Sequence, residues 1–261
     1  NNNGSNNTAL GHESLKASVN NDNTAVGFKS LLVNTAIGNT AVGAYSGDSN
    51  IGGANITAIG NRALCSNTTG NNGTAVGLCS LRSNTTGGCN TAVGVCSMFA
   101  NTTGANNAAV GEAALDSNTE GNSNVAMGRN SLASNTTAGN NTGIGAFSLE
   151  QNVTGTSNTA VGQLSLNRNT ASNNTAVGRQ ALEANTTGAD NTAVGSGALD
   201  ANTTAINNTA VGKTALGANT TGHRNTSIGK DSMAVNTTGC CNASVGWGSL
   251  GSNTTATGNT A

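Results

Sequence analysis

Proline is absent from this 261-residue chain, and aromatic side chains number five: one Trp, one Tyr and three Phe. Charged residues make up only 8% of the chain, with a formal net charge of −1. A near-neutral chain this poor in rings has no basic stripe for phosphates and no platform for stacked bases, so nucleic-acid binding is not expected. Histidine occurs twice, as His12 and His223, near opposite ends of the sequence. That leaves no material for a catalytic triad, a zinc site or a histidine base. Acids such as Asp116 and Glu150 recur without a paired second acid, and there is no GxxxxGK[ST] phosphate loop. Aspartate is too scarce for the calcium-binding nonapeptide of other solenoids. The expectation is a protein that is not an enzyme and needs no cofactor or metal. No apolar run approaches the roughly 20 residues of a membrane span, and no secretory leader is recognisable. The sequence opens on Asn1 and stops at Ala261, one residue after a new repeat begins, which reads as a piece of a longer array.

What is present is one sentence written about fifteen times, NTAVGxxSLxxNTTGxN, plain at Asn158–Gly162 and at Asn191–Gly195. Its anchor threonine or equivalent falls at Thr8, Thr24, Thr40, Thr57, Thr74, Thr91, Ala108, Val125, Thr142, Thr159, Thr175, Thr192, Thr209, Thr226, Ala243 and Thr260. Twelve of the fifteen spacings are 17 residues and three are 16. With the residue before the anchor as position 1, Gly fills position 5 in all fifteen complete repeats. Leu or Met fills position 9 in fourteen, failing only at Gly47, and Asn fills position 12 in fourteen, failing only at Ser18. The extra NTAIG at Asn34–Gly38 looks like a misplaced start, but the register puts Asn34 at position 12.

Seventeen residues are too few for a βαβ unit or for the roughly 33–47-residue helix pairs of helical solenoids. Gly and Asn throughout also oppose a helix. The fold expected is all-β: a β-solenoid, a parallel β-roll or β-helix of about fifteen 17-residue coils. TAV is the strand, Gly at position 5 bends it, and NTTG turns a corner. Residues 1–261 form a single continuous array, with 1–39 the less regular N-terminal coils. Coils about 4.8 Å apart would stack into a rod of roughly 70 Å, each layer leaning on its neighbours. The core expected is a Val/Ile column at position 4 and a Leu/Met column at position 9, flanked by Ala and Ser at positions 3 and 8. Charges gather at positions 6, 7, 10, 16 and 17, as solvated edges without a binding stripe.

Six cysteines fall mostly in different columns. Cys79 and Cys96 share position 7 in successive coils, about 4.8 Å apart by strand spacing, and are the candidate disulfide. Cys65, Cys89, Cys240 and Cys241 find no neighbour in their own columns, so links to another chain and free thiols both stay open. The even count leans toward an oxidising, extracellular compartment.

Position 12 is where structure and modification compete. Ten of its Asn residues open an N-x-[ST] acceptor and are candidate N-glycosylation sites: Asn67, Asn84, Asn101, Asn135, Asn152, Asn185, Asn202, Asn219, Asn236 and Asn253. Four more, Asn34, Asn50, Asn118 and Asn169, keep the amide without the acceptor. An amide retained where the acceptor is lost points to a structural ladder of stacked Asn side chains, with covalent glycans as an addition. Further acceptors lie at Asn72, Asn140, Asn173, Asn207, Asn225 and Asn242.

NTAVGxxSL resembles the head repeat of trimeric autotransporter adhesins of the YadA type, and the NTAVG repeats of tail-fibre-like proteins from viruses and bacteria. The likeness covers nearly the whole chain at about nine of seventeen positions per coil, and the added NTTGxN makes each coil longer than the adhesin unit. It implies a parallel β-roll serving as a surface-exposed fibre or adhesin. The function expected is the body of an extracellular or cell- or virion-surface fibre that associates with itself. The alternatives are a viral tail-fibre shaft and an ice-binding solenoid. The Thr column at position 2 offers the ice binder a rank of hydroxyls, while aliphatic position 4 departs from paired Thr columns.

Overall fold

The structure, a computed structural model, describes residues 4–261. The chain is an all-β solenoid whose strands are three residues long, from Thr8–Leu10 to Ala243–Val245. It divides into two compact units. One holds residues 4–130 with Ser134–Thr137, and the other holds Ser131–Ala133 with Ala138–Ala261. In the first, the strands from Thr8–Leu10 to Val125–Met127 pair in parallel in chain order; in the second, those from Thr142–Ile144 to Ala243–Val245 do the same. Register is strict. Thr175, Ala176 and Val177 lie against Thr192, Ala193 and Val194.

Hydrogen bonds between coils continue well past the strand. Around one coil of the second unit, the Thr175 N–H donates to Asn191, Gly178 to Val161, Gln180 to Gln163, Leu182 to Ala198, Ala184 to Asp200 and Thr186 to Thr203, at 2.7–3.0 Å. Two turns connect these rungs within a coil: Ala181 N–H bonds Gly178 and Asn185 N–H bonds Leu182, both at 3.2 Å. Short strands therefore suffice, because turns and corners also carry rungs.

Inside, the columns differ from the sequence expectation in one respect. Position 9 is core, with Leu81, Leu132 and Leu182 fully buried. Position 4 is not core: Val177, Val194 and Ile228 are 36–40% exposed, and the buried strand residue is the Ala at position 3. The reason is the two-residue alternation of a strand, which puts position 3 on one side and positions 2 and 4 together on the other. The interior is thin. A Cβ at Gly143, in position 3, would meet the Ser131 and Ser148 hydroxyls of position 8 at 2.6 and 3.0 Å, so the inward place takes a small residue and the branched one goes outside.

The bends use left-handed backbone at four positions per coil. Position 5 is always Gly, with φ between 126° and 139°. A Cβ there would meet the next coil: at Gly178 it would stand 2.6 Å from the Gly195 carbonyl. Positions 7, 9 and 17 also have positive φ without needing Gly, as at Gln180 (60°), Leu182 (53°) and Asn207 (60°). A left-handed Leu costs about 1–2 kcal/mol. Burying its side chain returns about 1.5–3 kcal/mol, so the column holds.

Gly178→Ala is expected to lower unfolding free energy by about 3 kcal/mol, through the clash and the unfavourable φ together. Gly73→Ala, whose Cβ would sit 3.6 Å from Leu64 at ordinary contact, is the control that should change little. Urea unfolding of the two variants measures the difference.

Candidate functional site: the amide ladders and the outer face

Position 12 is a ladder inside the coil. In most coils the Asn Nδ2 donates to the Oδ1 of the Asn one coil earlier: Asn67 to Asn50, Asn84 to Asn67 and Asn118 to Asn101 at 2.8 Å, and Asn202 to Asn185 at 2.8 Å. The second Nδ2 hydrogen goes to the position 15 carbonyl of the same coil, as from Asn185 to Gly188 at 2.8 Å. Each amide therefore fixes its own corner and joins it to the next. The irregular repeats obey the same rule. Asn34 stands at position 12, accepting from Asn50 at 2.7 Å, so the NTAIG segment is in register as expected. In the 16-residue coils the bond reaches two residues ahead, Asn34 to Ala36 and Asn169 to Ala171, instead of three. The missing residue is thus the second Thr of the corner. Where Ser18 replaces Asn, its buried hydroxyl finds no partner.

A second ladder runs at position 1, where the sequence alone suggested only a turn residue. Here Asn Oδ1 accepts the backbone N–H of the next position 1 Asn, as Asn174 does from Asn191 and Asn191 from Asn208, both at 3.0 Å. Its Nδ2 donates to the same position 15 carbonyl that position 12 uses: the Gly188 carbonyl accepts from Asn174 and Asn185, both at 2.8 Å. One carbonyl thus ties two columns. The available signal was Asn at position 1 in thirteen of fifteen complete repeats. A third column adds Thr hydroxyls at position 13, with Thr186 Oγ1 donating to the Thr203 carbonyl at 2.9 Å.

The ladder bears directly on the candidate glycosylation sites. Asn67, Asn84, Asn101, Asn135, Asn152, Asn185, Asn202, Asn219 and Asn236 are buried, and Asn253 is half-buried in the last coil. A glycan would replace a hydrogen on the Nδ2 that bonds the preceding coil and its own corner, so the folded ladder has no place for one. Asn225 and Asn242, at position 1, are buried too. Asn72, Asn140, Asn173 and Asn207, at position 17, are exposed. Asn55 heads the same acceptor pattern at position 17, is exposed, and was missed in the sequence.

Cys79 and Cys96 stand at position 7 of successive coils, half-buried, and all six cysteines carry free thiols in this structure. Burial, and then the neighbouring Cys79, push the Cys96 thiol up. His12 lies parallel to Phe28 at 5.5 Å, and Phe28 meets Tyr45 edge-on at 5.2 Å. Lys29 sits over the Phe28 ring and Arg62 over the Tyr45 ring. The few aromatics of the early coils therefore engage one another and adjacent cations. Among the described residues no three His, Cys, Asp or Glu side chains gather as a metal site would require, and no helix is long and apolar enough to cross a membrane.

Outside, each strand presents position 2, which is Thr in twelve of the fifteen strands, beside an aliphatic residue or Met at position 4. Neither column holds a charge from Thr8 to Val245. Position 10 carries five of the eleven acids: Asp48, Asp116, Glu150, Glu183 and Asp200. Asp200 has its carboxyl raised by partial burial, opposed by the Ala201 N–H and its own, with Glu183 one coil away raising it further.

No protein-family model matches the chain, and no curated protein is significantly similar to it.

Asn202→Leu removes donors from the Asn185 Oδ1 and the Ala205 carbonyl, and takes the acceptor from Asn219. Orphaning such buried groups should cost about 3 kcal/mol, against less than about 0.5 kcal/mol for the exposed Thr187→Ala, both read by thermal unfolding. Asp200 gives a pH test. With its folded pKa raised, its contribution to stability is present in acid and lost as pH rises through that pKa. Asp200→Asn should therefore stabilise the chain at pH 7 more than at pH 3.

Proposed function

We propose that this chain is the structural body of an extracellular or surface-exposed fibre or adhesin, non-catalytic and associating with copies of itself. The observation that carries the reading is the commitment of each coil to the next. Backbone, position 1 and 12 amides and position 13 hydroxyls all bond along the stack, so length grows by adding repeats without new chemistry. Self-association is supported by the aliphatic column at position 4, which stays on the outside in every coil. The resemblance of NTAVGxxSL to YadA-type head repeats and tail-fibre repeats points the same way. Covalent glycans belong in this reading at exposed position 17, on Asn55, Asn72, Asn140, Asn173 and Asn207, rather than at buried position 12.

A second reading, an ice-binding solenoid, is favoured by one observation. Positions 2 and 4 both face outward, so hydroxyl and methyl ranks share one charge-free sheet face. Thermal hysteresis in a freezing assay separates the two readings.

Electron microscopy of native material should show fibres or elongated oligomers; short, monodisperse particles would contradict the fibre assignment. Replacing exposed Val177 and Val194 by Lys should leave the melting temperature nearly unchanged while reducing association in sedimentation velocity.

A further inference from the structure

The position 1 ladder lacks two successive rungs, and a cysteine pair lies across the second of these junctions. Position 1 is Ile56 in one coil and Gly73 in the next, before Asn resumes at Asn90. On either side the rung is intact: Asn39 Oδ1 accepts from the Ile56 N–H at 3.0 Å, and Asn90 Oδ1 from the Asn107 N–H at 3.0 Å. Gly73 has no side-chain oxygen to offer Asn90, so the junction between coils 73–89 and 90–106 lacks that rung by composition. The Gly87 carbonyl likewise accepts from Asn84 at 2.9 Å with no position 1 amide to share it.

Cys79 belongs to the first of these coils and Cys96 to the second. Their N–H groups make the same bond to the preceding coil, Cys79 to Asn61 at 3.0 Å and Cys96 to Leu78 at 2.9 Å. Their φ values are 56° and 54°. Equal backbone geometry sends both side chains out in one direction. One strand spacing, about 4.8 Å, separates the two Cα atoms, within the roughly 4.4–6.8 Å that a disulfide spans. Cys65 at position 10 and Cys89 at position 17 occupy other columns and have no cysteine one coil away in theirs.

We infer that Cys79 and Cys96 form an oxidisable staple that supplies, covalently, the hold between coils 73–89 and 90–106 that the missing amide rung does not. The oxidant is a small-molecule disulfide or a thiol–disulfide oxidoreductase. One cysteine thiolate attacks that disulfide, forming a mixed disulfide and releasing one thiol. The second thiolate then attacks the protein sulfur of the mixed disulfide and releases the other thiol. Two protein S–H groups become one S–S bond, two protons leave, and the oxidant is reduced to two thiols. The inference is independent of the fibre assignment, since it concerns one junction inside one unit.

The test incubates the folded chain in glutathione disulfide, alkylates remaining thiols and maps the products. In a C65S/C89S background the tryptic pieces 63–82 and 83–129 carry one cysteine each, and they should be recovered joined, within one chain. In the unsubstituted chain, titratable thiols should fall from six to four, and Cys79→Ser should abolish that fall. The oxidised chain should melt above the reduced one, and Gly73→Asn, which has room at 3.6 Å from Leu64, should shrink the difference by restoring the amide rung. Glutathione retained on both cysteines, or cross-links only between chains, would overturn the staple. An oxidised junction that melts with the reduced chain, or a difference untouched by Gly73→Asn, would overturn its role as a substitute for the rung.

Discussion

Everything in this molecule rests on the buried carboxamide at position 12. An amide has one acceptor oxygen and two donor hydrogens, which is what a coil needs to bond the coil behind it, the coil ahead and its own corner. A hydroxyl cannot do all three, and at Ser18 the buried oxygen is left without a partner. An aspartate would bring a second acceptor and a charge into the same space. The amide also sets the corner: because its second hydrogen must reach the position 15 carbonyl, the loop between them can shorten by one residue, as at Asn34 and Asn169, while Asn50 and Asn185 still bond back to them.

The polar core explains how so thin a solenoid stands with so little apolar mass. Leu at position 9 and Ala at position 3 provide the apolar filling, while Asn at positions 1 and 12 and Ser or Ala at position 8 occupy the rest. Buried polar groups are costly when unmatched. Here the repeat places a partner at the same height in the next layer, so a match made in one coil recurs wherever the column keeps its residue. The left-handed Leu residues belong to the same economy of space: the backbone bends twice within five residues to close the coil, and the burial of Leu outweighs the bend.

The outer surface is a consequence of the inner one. Once Ala takes the inward place on the strand, Thr and Val are left on a continuous uncharged face, and the charged side chains keep to the turns. A structural role is compatible with such a body, whose buried side chains are mostly engaged in joining layers. A face without charge is suited to contact with a like face or with ordered water, and less to recognition of an ionic ligand.

The seventeen-residue period determined the β-solenoid by itself, because no helical or βαβ unit fits in that length, and it placed every coil in register, including the misleading segment at Asn34. Persistence of Asn where its acceptor pattern was lost also made the position 12 ladder legible. Three things were decided only by the tertiary structure. The side of the strand that faces inward was ambiguous, since Ala and Val are both apolar and alternation permits either; the small space against the position 8 side chains, where a Cβ at Gly143 would meet two Ser hydroxyls, decided for Ala. The position 1 ladder was hidden because an Asn before a strand reads as a turn residue until its amide is seen beside a carbonyl that position 12 also uses. The glycosylation pattern misled for the same reason: N-x-[ST] states a chemical possibility, and only the stacked coils show that the nitrogen at position 12 is already holding its neighbour, while the one at position 17 is open to solvent.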